Sequence, residues 1–153
     1  MSEHTALIRW EHTGGEFLKG KYSREHTWTF DGGLTVPAAP SPQKVSIAYG
    51  NPANLDPEEA FVAAISSCHM LTFLFLAYRA GFQVEAYEDV AVGLMGKNER
   101  GVDWISQVTL HPKIAYRPDK GPTPQEEEQL HHHAHEQCII ANSIKTEVVT
   151  RGS

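Results

Sequence analysis

From Ala60 to Tyr78 the chain runs AFVAAISSCHMLTFLFLAY without a single Asp, Glu, Lys or Arg. A run of this length either spans a bilayer, which takes about 20 residues, or forms a helix covered on nearly every side. Ser66, Ser67, His69 and Thr72 in its middle, Glu58 and Glu59 at its start, and β-prone flanks that need a sheet partner favour the covered helix, with no membrane as partner. The helix start is specified locally. Asp56 stands at the N-cap, Pro57 at N1, where its missing N–H costs little, and Glu59 at N3 closes a capping box. Gly81 stops the helix after Ala80. At about 1.5 Å per residue this is a rod of about 36 Å, long enough to cross a small domain and to organise the rest around it.

The flanking segments read mostly as strands. Thr5–Trp10 and His26–Phe30 are rich in β-favouring types, and Asp31-Gly32-Gly33 supplies a turn before Leu34–Val36, which predicts an antiparallel meander. PAAPSPQK over 37–44 is too rich in proline for a regular element, and Val45–Tyr49 is expected as an edge strand or extended arm. Phe82–Met95 and Val102–Tyr116, separated by GKNERG, are expected to form one long hairpin. A second helix follows in QEEEQLHHHAHEQC, with Thr123 as its N-cap and acidic residues in its first turns. Asn142 and Ser143 then break the pattern before a terminal strand, Ile144–Thr150.

Size and charge narrow the function classes. At 153 residues the chain is expected to be one domain, 1–153. Thirteen Lys and Arg against nineteen Asp and Glu leave a net charge of −6 and no basic stripe, so nucleic acid is not an expected partner. Two cysteines, Cys68 and Cys138, are too few for a disulfide framework. The first ten residues hold only a three-residue apolar stretch, short of a signal-peptide core of about 7 residues or more, so a cytoplasmic location is expected.

Several constellations are able to carry chemistry. Cys68 sits mid-helix and Cys138 at the end of the second helix, where either can serve as a packed hydrophobe, a metal ligand or a redox group. His69 follows Cys68 directly, and helix neighbours diverge by about 100°, so it is badly placed as a base for that thiol. A reactive Cys68 needs a cation beside it, because it lies eleven residues inside the helix and the dipole acts only on the first turn. Arg24, in KYSREHTW, is the candidate. Glu58 lies ten residues before Cys68, about 15 Å along the same rod, so it acts through Arg24 or across a two-fold axis, or else serves only the helix N-terminus. A rival reading is a zinc site on His131, His135 and Cys138, which share one helical face but lack a fourth ligand.

Taken together, DPEEAFVAAISSCHMLTFL and the second cysteine in HEQCIIANS resemble the OsmC/Ohr family of thiol-dependent peroxidases, in a less-characterised branch. The strand, helix, strand, helix, strand order covers essentially the whole chain. The resemblance implies an α+β, OsmC-like fold with antiparallel sheets around a long central helix, as an intertwined homodimer. It makes Cys68 the peroxidatic thiolate and Cys138 the resolving thiol. Arg24 and Glu58 become the pair that keeps Cys68 ionised, with Arg9 as a substitute for an arginine whose flanks depart from the family's pattern.

An enzyme of this kind reduces organic hydroperoxides to alcohols through a Cys68 sulfenic acid and a Cys68–Cys138 disulfide, reopened by a dithiol, either a small thiol or a lipoylated protein. No cofactor is expected, since two cysteines suffice. Phe61, Met70, Phe73 and Phe75 on the helix favour an organic peroxide wherever they line the pocket. A non-catalytic protein of the same fold that binds a small acyl or lipid ligand between its helices is the other alternative.

Overall fold

The computed structural model describes residues 1–152, which fall into two compact units, Met1–Ala60 and Phe61 onward. Their secondary structure is mixed α+β, with two α-helices and three sheets among the described residues.

In the first unit, β1 (Ala6–Arg9), β2 (His26–Phe30) and β3 (Thr35–Ala38) form the expected antiparallel meander in that order. Ala6 faces Phe30 and His26 faces Ala38 across the ladders. The β2–β3 turn closes with Gly33 at φ 95°, a left-handed conformation that suits glycine. The strand expected over Val45–Tyr49 is instead a 3-10 turn, Ile47–Tyr49. The Ser46 hydroxyl accepts the Ala48 N–H there, giving the backbone a local partner in place of a ladder.

Helix α1 (Pro57–Arg79) begins where the sequence places it. Glu59 N–H donates to Asp56 Oδ1 at 2.8 Å and Asp56 N–H to Glu59 Oε1 at 2.9 Å, a reciprocal capping box. It ends one residue before Ala80, with Gly81 at φ 86° and the Phe82 N–H returning to the Ala77 carbonyl at 3.0 Å. The buried residues of α1 are Ile65, His69, Phe73 and Ala77, one stripe at a spacing of four. Leu71, Phe75 and Tyr78 stand exposed on its other faces. By length and composition alone the helix could also cross a membrane.

The second unit departs from the single hairpin. Each long run is broken by a corner, giving β4 (Val84–Asp89), β5 (Val92–Lys97), β6 (Asp103–Leu110) and β7 (Pro112–Tyr116). β5 pairs with β6 in one sheet and β4 with β7 in another. Asp89 clamps the corner: its Oδ1 accepts the His111 N–H at 2.6 Å, its Oδ2 accepts the Ser66 hydroxyl from α1, and His111 Nδ1 bonds the Val90 carbonyl at 2.9 Å.

Helix α2 (Pro124–Gln137) opens on a Thr123–Glu126 capping box, as expected. The terminal strand is shorter than its β-prone run, β8 (Glu147–Thr150), and lies parallel to β6, so the sheets are not all antiparallel. A crossover through α2 is long enough to return the chain in the same direction. One core cluster joins Phe73 and Ala77 of α1 to Leu130 and Ala134 of α2; the other joins Ile65 of α1 to Val108 and Leu110 of β6.

Candidate active site

Cys68 and Cys138 are separated by seventy residues of sequence, yet their thiols are close neighbours, and neither is in a disulfide. Cys68 is half-buried on α1, while Cys138 is 1% exposed at the C-cap of α2. The C-terminus of α2 is held by Asn142, whose amide donates to the carbonyls of Glu136 and Cys138 at 2.9 and 2.8 Å. Cys138 Sγ accepts the Ala141 N–H at 3.4 Å. Burial pushes the Cys138 thiol up, and the neighbouring Cys68 adds to that, whereas the Ala141 N–H works against it. The pair is therefore one accessible and one sheltered thiol, placed to exchange a proton or to join.

His69 turns away from Cys68, as expected of its immediate neighbour on a helix. Its Nε2 shares a hydrogen bond of 3.0 Å with His131 Nδ1 on α2. The two rings lie edge to edge and nearly coplanar, 5.2 Å between centroids and 10° between planes, and Phe73 stacks on His131 at 4.4 Å. Burial, then repulsion from His131 and His135, pulls His69 down to about 4, against the attraction of Asp89. Burial lowers His131 as well, opposed by Glu127 and Asp89. The His69 Nδ1 and the Tyr87 hydroxyl are buried without partners. Sequence reasoning missed this pair, although its signal was present: His69 lies in the Ile65, Phe73, Ala77 stripe that faces inward.

The zinc reading finds no support in the structure. His131 commits its Nδ1 to His69, and Cys138 lies beside Cys68. Among the described residues no three His, Cys, Asp or Glu side chains are arranged to hold a metal ion. His131, His132 and His135 instead line a cavity of about 500 Å³ together with Glu127, Glu128 and Thr150.

In the first unit, Arg24 donates to the carbonyls of Tyr22 at 2.8 Å and Gly20 at 3.3 Å, and its guanidinium lies 3.9 Å from the centre of the Tyr22 ring. Glu58 Oε2 is buried without a hydrogen-bond partner. The chain thus does not bring Arg24 and Glu58 together as an ion pair. Arg9, the substitute, pairs with Glu11 on the exposed surface.

Residues 50–151 match the sequence model of the OsmC-like protein family. The chain belongs to that family. An OsmC-like protein of unknown function from Vibrio cholerae shares 48% identity over the full length of both chains, with a TM-score of 0.97. Two more distant OsmC-like folds are described as organic hydroperoxide resistance proteins. That of Legionella pneumophila has 21% identity, covers 100% of this chain and 98% of its own, and has a TM-score of 0.68. That of Elizabethkingia anophelis has 22% identity, covers 99% of this chain and 95% of its own, and also has a TM-score of 0.68. No curated protein matches this OsmC-like chain.

Proposed function

We propose that the protein is a thiol-dependent peroxidase that reduces organic hydroperoxides to alcohols. The observation that carries this reading is the proximity of the half-buried Cys68 thiol to the buried Cys138 thiol. The Cys68 thiolate attacks the distal peroxide oxygen. The S–O bond forms as the O–O bond breaks, and the alkoxide leaves as the alcohol on taking a proton. Cys138 then attacks the sulfenic sulfur, forming the disulfide and releasing water, and an external dithiol reduces the pair. A resolving thiol raised by burial is a weak nucleophile until deprotonated, and proximity to its target offsets that.

Arg24 and Glu58 are assigned to keeping Cys68 ionised on the family resemblance. A second copy of the chain is the proposed cover for the apolar faces of α1, on which Leu71 and Tyr78 are 60% and 66% exposed. The proposed setting is the cytoplasm, whose reducing poise keeps both thiols ready.

Apolar groups near Cys68 favour an organic peroxide over hydrogen peroxide. Phe73 is fully buried in the core and drops out of the set expected to line a pocket, which leaves Phe61, Met70 and Phe75. Stopped-flow rates of Cys68 oxidation are expected to be at least about tenfold faster with cumene hydroperoxide than with hydrogen peroxide, the gain of burying one or two methylene-sized groups. Equal rates would contradict the assigned substrate class.

A further inference from the structure

We propose that the His69–His131 pair is a positioning element that holds α1 and α2 in the alignment joining Cys68 to Cys138, an inference that rests on the two-cysteine reading. His69 follows Cys68 on α1. On α2, His131 precedes Cys138 by seven residues, about two turns, so both face the same way. The helices therefore bring two pairs together, the neighbouring thiols and the hydrogen-bonded rings. The apolar contacts between them, Phe73 and Ala77 with Leu130 and Ala134, are non-directional and tolerate sliding or rotation. A 3.0 Å hydrogen bond between nearly coplanar rings does not.

The pair also carries a cost that positioning explains. His69 is 1% exposed, and its Nδ1 has no partner, so a leucine of similar volume would sit in this stripe with less penalty. The bond needs one proton between Nε2 and Nδ1, and it survives addition of a single further proton. His131 lines the cavity and faces Glu127 and Asp89, so it is the ring able to receive that proton. Only a second proton, on His69, removes the last acceptor. Burial, His131 and His135 oppose that step, and Asp89 alone favours it. The alignment therefore persists through the neutral range.

The test is the equilibrium of the Cys68–Cys138 disulfide in buffers of reduced and oxidised dithiothreitol, read by mass spectrometry on the full chain. The disulfide constant scales with the fraction of reduced protein whose helices are aligned. His131→Phe keeps the stack on Phe73 and removes the hydrogen bond to His69. It is expected to lower the constant about tenfold, which is about 30 mV for this two-electron couple. His131→Asn places a polar atom where Nδ1 was and is expected to stay within about twofold of wild type. The double variant His69→Phe, His131→Phe leaves no orphaned imidazole, so it folds where the single variant does not, and it is expected to show the same fall.

An unchanged constant in the phenylalanine variants, a fall in His131→Asn as large as in His131→Phe, or no wild-type disulfide at all would overturn the positioning role. Peroxide takes no part in this equilibrium. A disulfide that forms from oxidised dithiothreitol but never from cumene hydroperoxide would remove the peroxidase reading and leave the positioning role in place.

Discussion

Cys68→Ser is expected to reduce cumene hydroperoxide consumption by more than about 100-fold, as loss of a nucleophile does, while leaving the fold intact. Serine is nearly isosteric with cysteine, and position 68 is only half-buried, so little packing changes. Cys138→Ser separates the two roles. The peroxide still consumes one thiol at Cys68, but with no neighbouring thiol to condense with, the sulfenic acid persists and proceeds to sulfinic acid under excess peroxide. Intact-mass analysis after a single equivalent of peroxide distinguishes the two variants: no added oxygen for Cys68→Ser, one added oxygen for Cys138→Ser. Full activity in Cys68→Ser, or oxygen added first at Cys138, would reverse the assignment.

Phe73→Ala is the packing change with the largest expected effect. Phe73 is fully buried, belongs to the cluster that joins the two helices, and stacks on His131 at 4.4 Å. Truncation removes the transfer energy of the ring and leaves a cavity between α1 and α2, about 3 to 5 kcal/mol in total. Urea unfolding of the reduced protein measures it. The same substitution loosens the ring stack, so the disulfide equilibrium is expected to weaken along with the fold. A loss below about 1 kcal/mol would mean that the α1–α2 contact contributes little, and with it the basis for the alignment of the thiols.

What the sequence specified well is what short-range chemistry decides. Asp56 with Glu59 and Thr123 with Glu126 each lie three residues apart, and both boxes close as read. The meander turn at Asp31-Gly32-Gly33 needs only its own glycine. What was not legible depends on partners distant in the chain. The corner that splits the long hairpin is fixed when Asp89 meets His111 and Ser66, 22 and 23 residues away. The parallel placement of β8 depends on the path through α2, and Ser46 turns an apparent strand into a 3-10 turn. In the site, the two cysteines were legible from motif resemblance, and their proximity required the fold. The histidine pair was hidden because His131 looked like a member of a metal stripe until His69, 62 residues earlier, took its Nδ1.

The most direct test of the two-cysteine mechanism is a thiol count. Reduced protein, freed of reductant, receives one equivalent of cumene hydroperoxide, and free thiols are counted by mass spectrometry within seconds. Both thiols are expected to vanish together, with Cys68 and Cys138 recovered in one disulfide-linked peptide pair. Two intact thiols after that addition would contradict a peroxidase at this site and would favour a ligand-binding protein that keeps the OsmC-like fold without its chemistry.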